Sequence, residues 1–174
     1  MKTICTVLLA LSVLLTPLAQ AKTCSGTWCN YIDTNDGFES GGANWSYWGV
    51  SFPLETTCYS NNHAAEMQNT EWIQRPYWNV DNTYSSFNLQ FRAFLPGDSD
   101  NYYDELKITV TNLTTNVSEI FYLHGSSYNG AQCGKNVIPL ANNYSNADVT
   151  VKFQSGTFSS HNWQIDDVGF FAFY

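Results

Sequence analysis

Positive charge is scarce in this chain. Seven lysines and arginines face 15 aspartates and glutamates in 174 residues, a formal net charge of −8. So few cations argue against nucleic acid and against anionic membrane surfaces as partners, both of which bind through clustered Lys and Arg. Calcium and neutral ligands are compatible with that balance. Helical periodicity is also missing: no segment keeps apolar residues on a 3.6-residue stripe. There is no internal repeat and no low-complexity linker. The usual catalytic constellations are absent as well. No two carboxylates fall on neighbouring strand faces as an acid/base couple, and no Ser-His-Asp set comes with a nucleophile elbow. Arg92, Gln90 and His161 assemble into a lyase-like site only by free choice. His63, His124 and His161 are scattered on or near loops and read as surface or structural residues.

A sustained apolar run occurs only at the start. Lys2, the run Val7 to Leu15 and the small-x-small triplet ending at Ala21 together read as a secretory leader over residues 1–21. The run is too short to span a membrane as a mature helix. The expectation is a secreted or extracellular protein, periplasmic if the source is bacterial, with one domain over residues 22–174. Loss of Lys2 takes the formal charge to −9. Five cysteines become four once Cys5 leaves. Four cysteines allow three pairings; the short loop between Cys24 and Cys29 favours a local bridge there, with Cys58–Cys133 as the long staple. Zinc is the rival, but paired C-x-x-C knuckles are lacking and export favours disulfides. Asn44, Asn112, Asn116 and Asn143 each begin an N-x-Ser/Thr sequon, used only if the source glycosylates.

What the chain has in quantity is aromatic and β-branched residues in alternation. Phe87, Leu89, Phe91 and Ala93 share one face of a strand, and Asn88, Gln90 and Arg92 the other. Leu106, Ile108 and Val110 alternate with Lys107, Thr109 and Thr111; Val149, Val151 and Phe153 alternate with Thr150, Lys152 and Gln154. Short strands are also expected at Phe52 to Cys58 and Ala64 to Met67. Glu71 to Val80 reads as an extended aromatic segment, since Pro76 forbids a central helix. The last dozen residues form a closing strand in which Asp166 and Asp167 point to opposite faces, so one of them aims into packed structure. Strands separated by Gly, Asn, Asp and Ser predict an all-β, antiparallel two-sheet β-sandwich or jelly roll.

Three segments carry a resemblance: Phe38-Glu39 followed by Trp45, the strand–acidic loop–strand unit from Phe87 to Val110, and the terminal Trp163-x-Ile-Asp-Asp-Val168. In this order they resemble the jelly-roll modules that include MAM domains and the galactose-binding-like carbohydrate-binding modules. Gly37 stands where MAM domains usually carry a cysteine. The resemblance covers nearly the whole of residues 22–174. It implies a β-sandwich, binding rather than catalysis, and a structural calcium ion (Ca2+) pinning the N-terminal segment to the last strand. By position, the implied ligands are Asp36, Glu39, a group from the Asn61-Asn62-His63 loop taken here as Asn62, and Asp166. Calcium takes hard oxygens of this kind, and it is favoured over simple turn capping at these carboxylates. The loop through Asp98, Asp100 and Asp104 lacks EF-hand spacing and reads as a solvated turn.

Trp72, Tyr77 and Trp78 are the candidate stacking platform for sugar rings, with Gln90 and Arg92 as hydrogen-bonding partners. Taken singly, each ring reads as an edge-strand cover for the core; three bulky rings around Arg75-Pro76 favour a recognition surface. The leading expectation is a calcium-stabilised carbohydrate-binding or adhesion module that takes a neutral glycan or glycoprotein surface. The alternatives are a MAM-type protein-interaction domain and a small polysaccharide-cleaving enzyme. A fold of this type hosts all three.

Overall fold

A computed structural model describes residues 28–31, 38–54, 63–80, 84–95, 104–127, 133–157 and 161–173. The leader, Cys24, Asp36, Cys58, Asn62, Asp98 and Asp100 lie outside the described residues. Two antiparallel sheets stack in a jelly-roll sandwich, and among the described residues the only helical element is a 3-10 turn at Gly125–Ser127. The first sheet contains β1 (Trp28–Tyr31), β3 (Ala65–Met67), β5 (Ser86–Phe94), β8 (Gly134–Leu140) and β10 (Trp163–Phe173). In it β10 pairs with β5, β5 with β8, and both β1 and β3 lie along the other side of β10. The second sheet runs β2 (Ser46–Trp48), β4 (Trp72–Val80), β9 (Ala147–Ser155), β6 (Glu105–Asn112), β7 (Val117–His124) across its width.

Alternation builds the core as expected. Phe87, Leu89, Phe91 and Ala93 of β5 are buried, as are Leu106, Ile108 and Val110 of β6 and Val149, Val151 and Phe153 of β9. Phe91 meets Phe153 edge-on at 5.0 Å between ring centres, joining the two sheets. Phe38 and Trp45 pack at 5.1 Å, while Phe87, Tyr144 and Phe170 form a second ring cluster at 5.7–5.8 Å. Each such ring contributes apolar burial, and the edge-on contacts of Phe91 with Phe153 and of Tyr144 with Phe87 and Phe170 add edge–face attraction. Glu119 is a polar tie beside this core. Its carboxylate accepts from the amides of Ala141 and Asn142 and from the Tyr144 hydroxyl, at 2.8–2.9 Å. That holds the β8–β9 connection against β7.

Three departures from the sequence reading have local causes. The stretch from Phe52 makes only an isolated bridge within its described part, Leu54 to His63, beside that of Ser51 to Glu66. β7 and β8, not singled out from the sequence, each lie at one edge of their sheet. Pro139 in β8 is tolerated there because an edge strand leaves one row of amides unpaired anyway. In β4 the inward set is Ile73, Arg75 and Tyr77. Arg75 is buried with its guanidinium 5.8 Å from the Trp45 ring and 5.3 Å from the Tyr77 ring. A cation over two aromatic faces recovers part of its desolvation cost. Beyond Tyr77 a bulge and the left-handed Asn79 (φ 53°) shift the phase, so that Val80 is the next residue buried.

Candidate functional site

Register in the second sheet gathers five side chains from five strands into one row. Trp48 stands opposite Trp72, Trp72 opposite Gln154, Gln154 opposite Lys107, and Lys107 opposite Tyr122. Directly opposed residues share a face, and this face points away from the core because Ile73, Phe153, Ile108 and their neighbours take the inner one. With strands about 4.8 Å apart, the row spans about 19 Å from Trp48 to Tyr122. Its ends are open: Trp48 is 58% exposed and Tyr122 49%. A second row beside it runs Ser46, Gln74, Lys152, Thr109, Ile120.

The middle of the face is polar but fixed. The Lys152 ammonium sits 4.8 Å from the centre of the Trp72 ring. Burial, and then repulsion from Lys107, push its pKa below the ordinary lysine range. The Gln154 amide donates to the carbonyl of Thr70 at 3.3 Å. At the Trp48 end, Gly49 turns the chain with φ 78° beside Glu71, whose carboxylate accepts from the Gln68 amide at 2.8 Å. Rings at both ends, with amide, ammonium and hydroxyl groups between, suit a ligand with apolar faces and a hydroxyl rim.

The five ligand residues expected from the sequence do not form one site. Tyr77 is 7% exposed and packs on Phe170 at 5.5 Å, so it belongs to the core and not to a platform. This corrects the three-ring expectation, and the cause is the inward phase it shares with Ile73. Trp72 joins the row just described. Trp78 is 52% exposed but six residues further along β4, about 20 Å from Trp72. Gln90 and Arg92 come together, yet on the outer face of the opposite sheet. The residues that sequence reasoning missed are Trp48, Lys107, Gln154 and Tyr122. The polar alternation of β6 and β9 was visible; the register that aligns them was not.

Of the expected calcium ligands, Asp36 and Asn62 lie outside the described residues. Asp166 is 1% exposed and its Oδ1 accepts from the Asp167 amide at 2.8 Å, whereas Glu39 is exposed. The donors are all hard oxygens, the kind calcium takes, and a buried carboxylate is where a cation offsets the most desolvation. Among the described residues no three His, Cys, Asp or Glu side chains converge as a metal site. Asp104, also fully buried, is held by the His161 ring Nδ1 at 2.9 Å. No helix among the described residues is long and apolar enough to cross a membrane.

No protein-family model matches the chain, and no curated protein matches it in sequence. Solved structures match its fold. TmCBM61 in complex with β-1,4-galactotriose superposes with a TM-score of 0.60 at 11% identity, covering 83% of this chain and 99% of that one. The CBM22-1 xylan-binding domain from Paenibacillus barcinonensis Xyn10C gives 0.60 at 10% identity, covering 86% and 98%. A mutant of CBM29-2, a family 29 carbohydrate-binding module, gives 0.52 at 10% identity, covering 83% and 91%. At these identities the likeness is one of fold: a two-sheet β-sandwich of the carbohydrate-binding-module architecture. These neighbours belong to the second of the two groups that the sequence resembles.

Proposed function

We propose that this chain is a carbohydrate-binding module that lays a neutral polysaccharide across the second sheet, from Trp48 to Tyr122. The observation that carries the reading is the row itself, in which aromatic rings bracket Gln154 and Lys107 in register. Rings bury the apolar faces of sugars, and the amide, ammonium and hydroxyl groups between them bond to sugar hydroxyls. Low charge fits the same ligand class. The galactotriose and xylan named for the structural neighbours supply the first chemistries to test. The module is exported behind the 1–21 leader, stapled by Cys24–Cys29 and Cys58–Cys133. A structural calcium ion held by Asp36, Glu39, Asn62 and Asp166 completes it.

Affinity electrophoresis through gels containing soluble xylan, β-1,4-galactan or glucomannan tests the reading. Wild type should be retarded in at least one gel. Trp48→Ala and Trp72→Ala should each lose most of that retardation while keeping native mobility in a sugar-free gel. Free migration of wild type in every gel would remove the proposal.

A further inference from the structure

The first sheet carries a hollow of its own on its outer face. In β10 the pairing with β5 slips between Asp166 and Gly169, and Asp167 takes a left-handed φ of 48°. Gly169, which follows this bulge opposite Gln90, adds no side chain to that face. The result is a cavity of about 260 Å³ lined by Gln90, Arg92, Lys135, Asp167, Gly169 and Phe171, among others. Bulges of this kind commonly re-aim a side chain at a functional position. Here the re-aimed group is the Asp167 carboxylate, which accepts from Arg92 Nε at 2.8 Å.

The distribution of cations singles out the same place. Of the five basic residues among those described, Arg75 is in the core and Lys107 and Lys152 lie on the opposite sheet's row. The other two, Arg92 and Lys135, are opposed in register at this hollow. Asp167 lines the hollow and is bonded to Arg92, so its carboxylate offsets the guanidinium there. The site offers carboxylate, guanidinium, ammonium and amide groups around the Phe171 ring. It matches vicinal hydroxyls, which donate to the carboxylate and accept from the cations, above an apolar ring face. At 260 Å³ the space is below the roughly 300–1,000 Å³ of drug-sized ligand sites, which suits one ring and not a chain.

We propose that this hollow is a second carbohydrate site, taking a single neutral pyranose or furanose ring as a chain end or side branch. The two sites lie on opposite faces of the sandwich, so one molecule can hold two glycan strands. The inference takes from the proposed function only that the ligand class is carbohydrate.

The test is NMR titration of the full exported chain (residues 22–174) with D-galactose, D-xylose, D-glucose and L-arabinose in turn. The amide of Gly169 and the Arg92 Nε–H report the hollow; the indoles of Trp48 and Trp72 report the row. Saturable shifts at Gly169 and Arg92 with at least one sugar are expected. Asp167→Asn should weaken that binding by roughly tenfold or more, because a charged acceptor is lost while asparagine keeps the left-handed backbone. Shifts at Gly169 without any at the indoles would uphold the hollow and count against the row. Shifts confined to the indoles, no shifts with any sugar, or unchanged affinity in Asp167→Asn would each overturn this second site.

Discussion

Two adjacent residues, Tyr77 and Trp78, should respond to truncation in opposite ways. Tyr77 is buried, stacks near Phe170 at 5.5 Å and lies under the Arg75 guanidinium at 5.3 Å. Tyr77→Ala removes a core ring, which costs about 3–5 kcal/mol when the cavity does not collapse. It also strips Arg75 of one of its two aromatic faces, so the upper half of that range is expected. For a chain of this size, about 2–4 °C of melting temperature go with each kcal/mol, giving a drop of about 10 °C or more. Trp78→Ala, on an exposed ring, should stay within about 0.5 kcal/mol of wild type. Urea unfolding of both variants, with equal m-values required, measures the difference. A cost below about 1 kcal/mol for Tyr77→Ala would refute the inward packing of β4.

Three further outcomes follow from particular contacts. Burial, then the hydrogen bond and charge of Glu119, push the Tyr144 phenol above its ordinary value of 10.0, so the folded state keeps a proton that the unfolded chain releases. That stability is fully present below pH 10 and falls as pH rises further; Tyr144→Phe should flatten the alkaline fall in unfolding free energy, and an unchanged fall would count against the contact. Calcium added after EDTA should raise the melting temperature of wild type, through a stabilisation of about 2.7 kcal/mol at a hundredfold excess over Kd; Asp166→Asn should abolish the response, and wild type indifferent to EDTA would remove the calcium proposal. Gly49→Ala places a Cβ 2.5 Å from the Glu71 side chain at a φ of 78°; it should cost roughly 1 kcal/mol or more and weaken glycan retention through Trp48, whereas a neutral effect on both would contradict the turn geometry.

The sequence was most legible where one face of a strand is purely apolar. β5, β6 and β9 announce themselves because Phe87, Leu106, Val149 and their partners alternate cleanly with polar residues. β7 did not, since Ile120 and Tyr122 on its outer face blur the contrast with Phe121 and Leu123 on the inner one. β8 has Pro139 on one face and Asn136 on the other. Tyr77 was misplaced because its inward companion is Arg75, and a charged residue ordinarily marks an outward face. The candidate site was only partly legible for a different reason. Trp48, Trp72, Gln154, Lys107 and Tyr122 are far apart in the chain, and only the registers of four strand pairs bring them together. Gln90 and Arg92 were found by alternation alone, because they belong to one strand.

The central claim is that a glycan lies across the second sheet along this row. Calorimetric titration with a length series of the oligosaccharide chosen by electrophoresis, from monosaccharide to hexasaccharide, tests it most directly. Affinity should climb with each added ring until the chain reaches from Trp48 to Tyr122, about 19 Å, and then level off. Trp48→Ala should make it level off at a shorter length, with no change in melting temperature. Affinity that is independent of length, or a length profile identical in Trp48→Ala and wild type, would contradict the account.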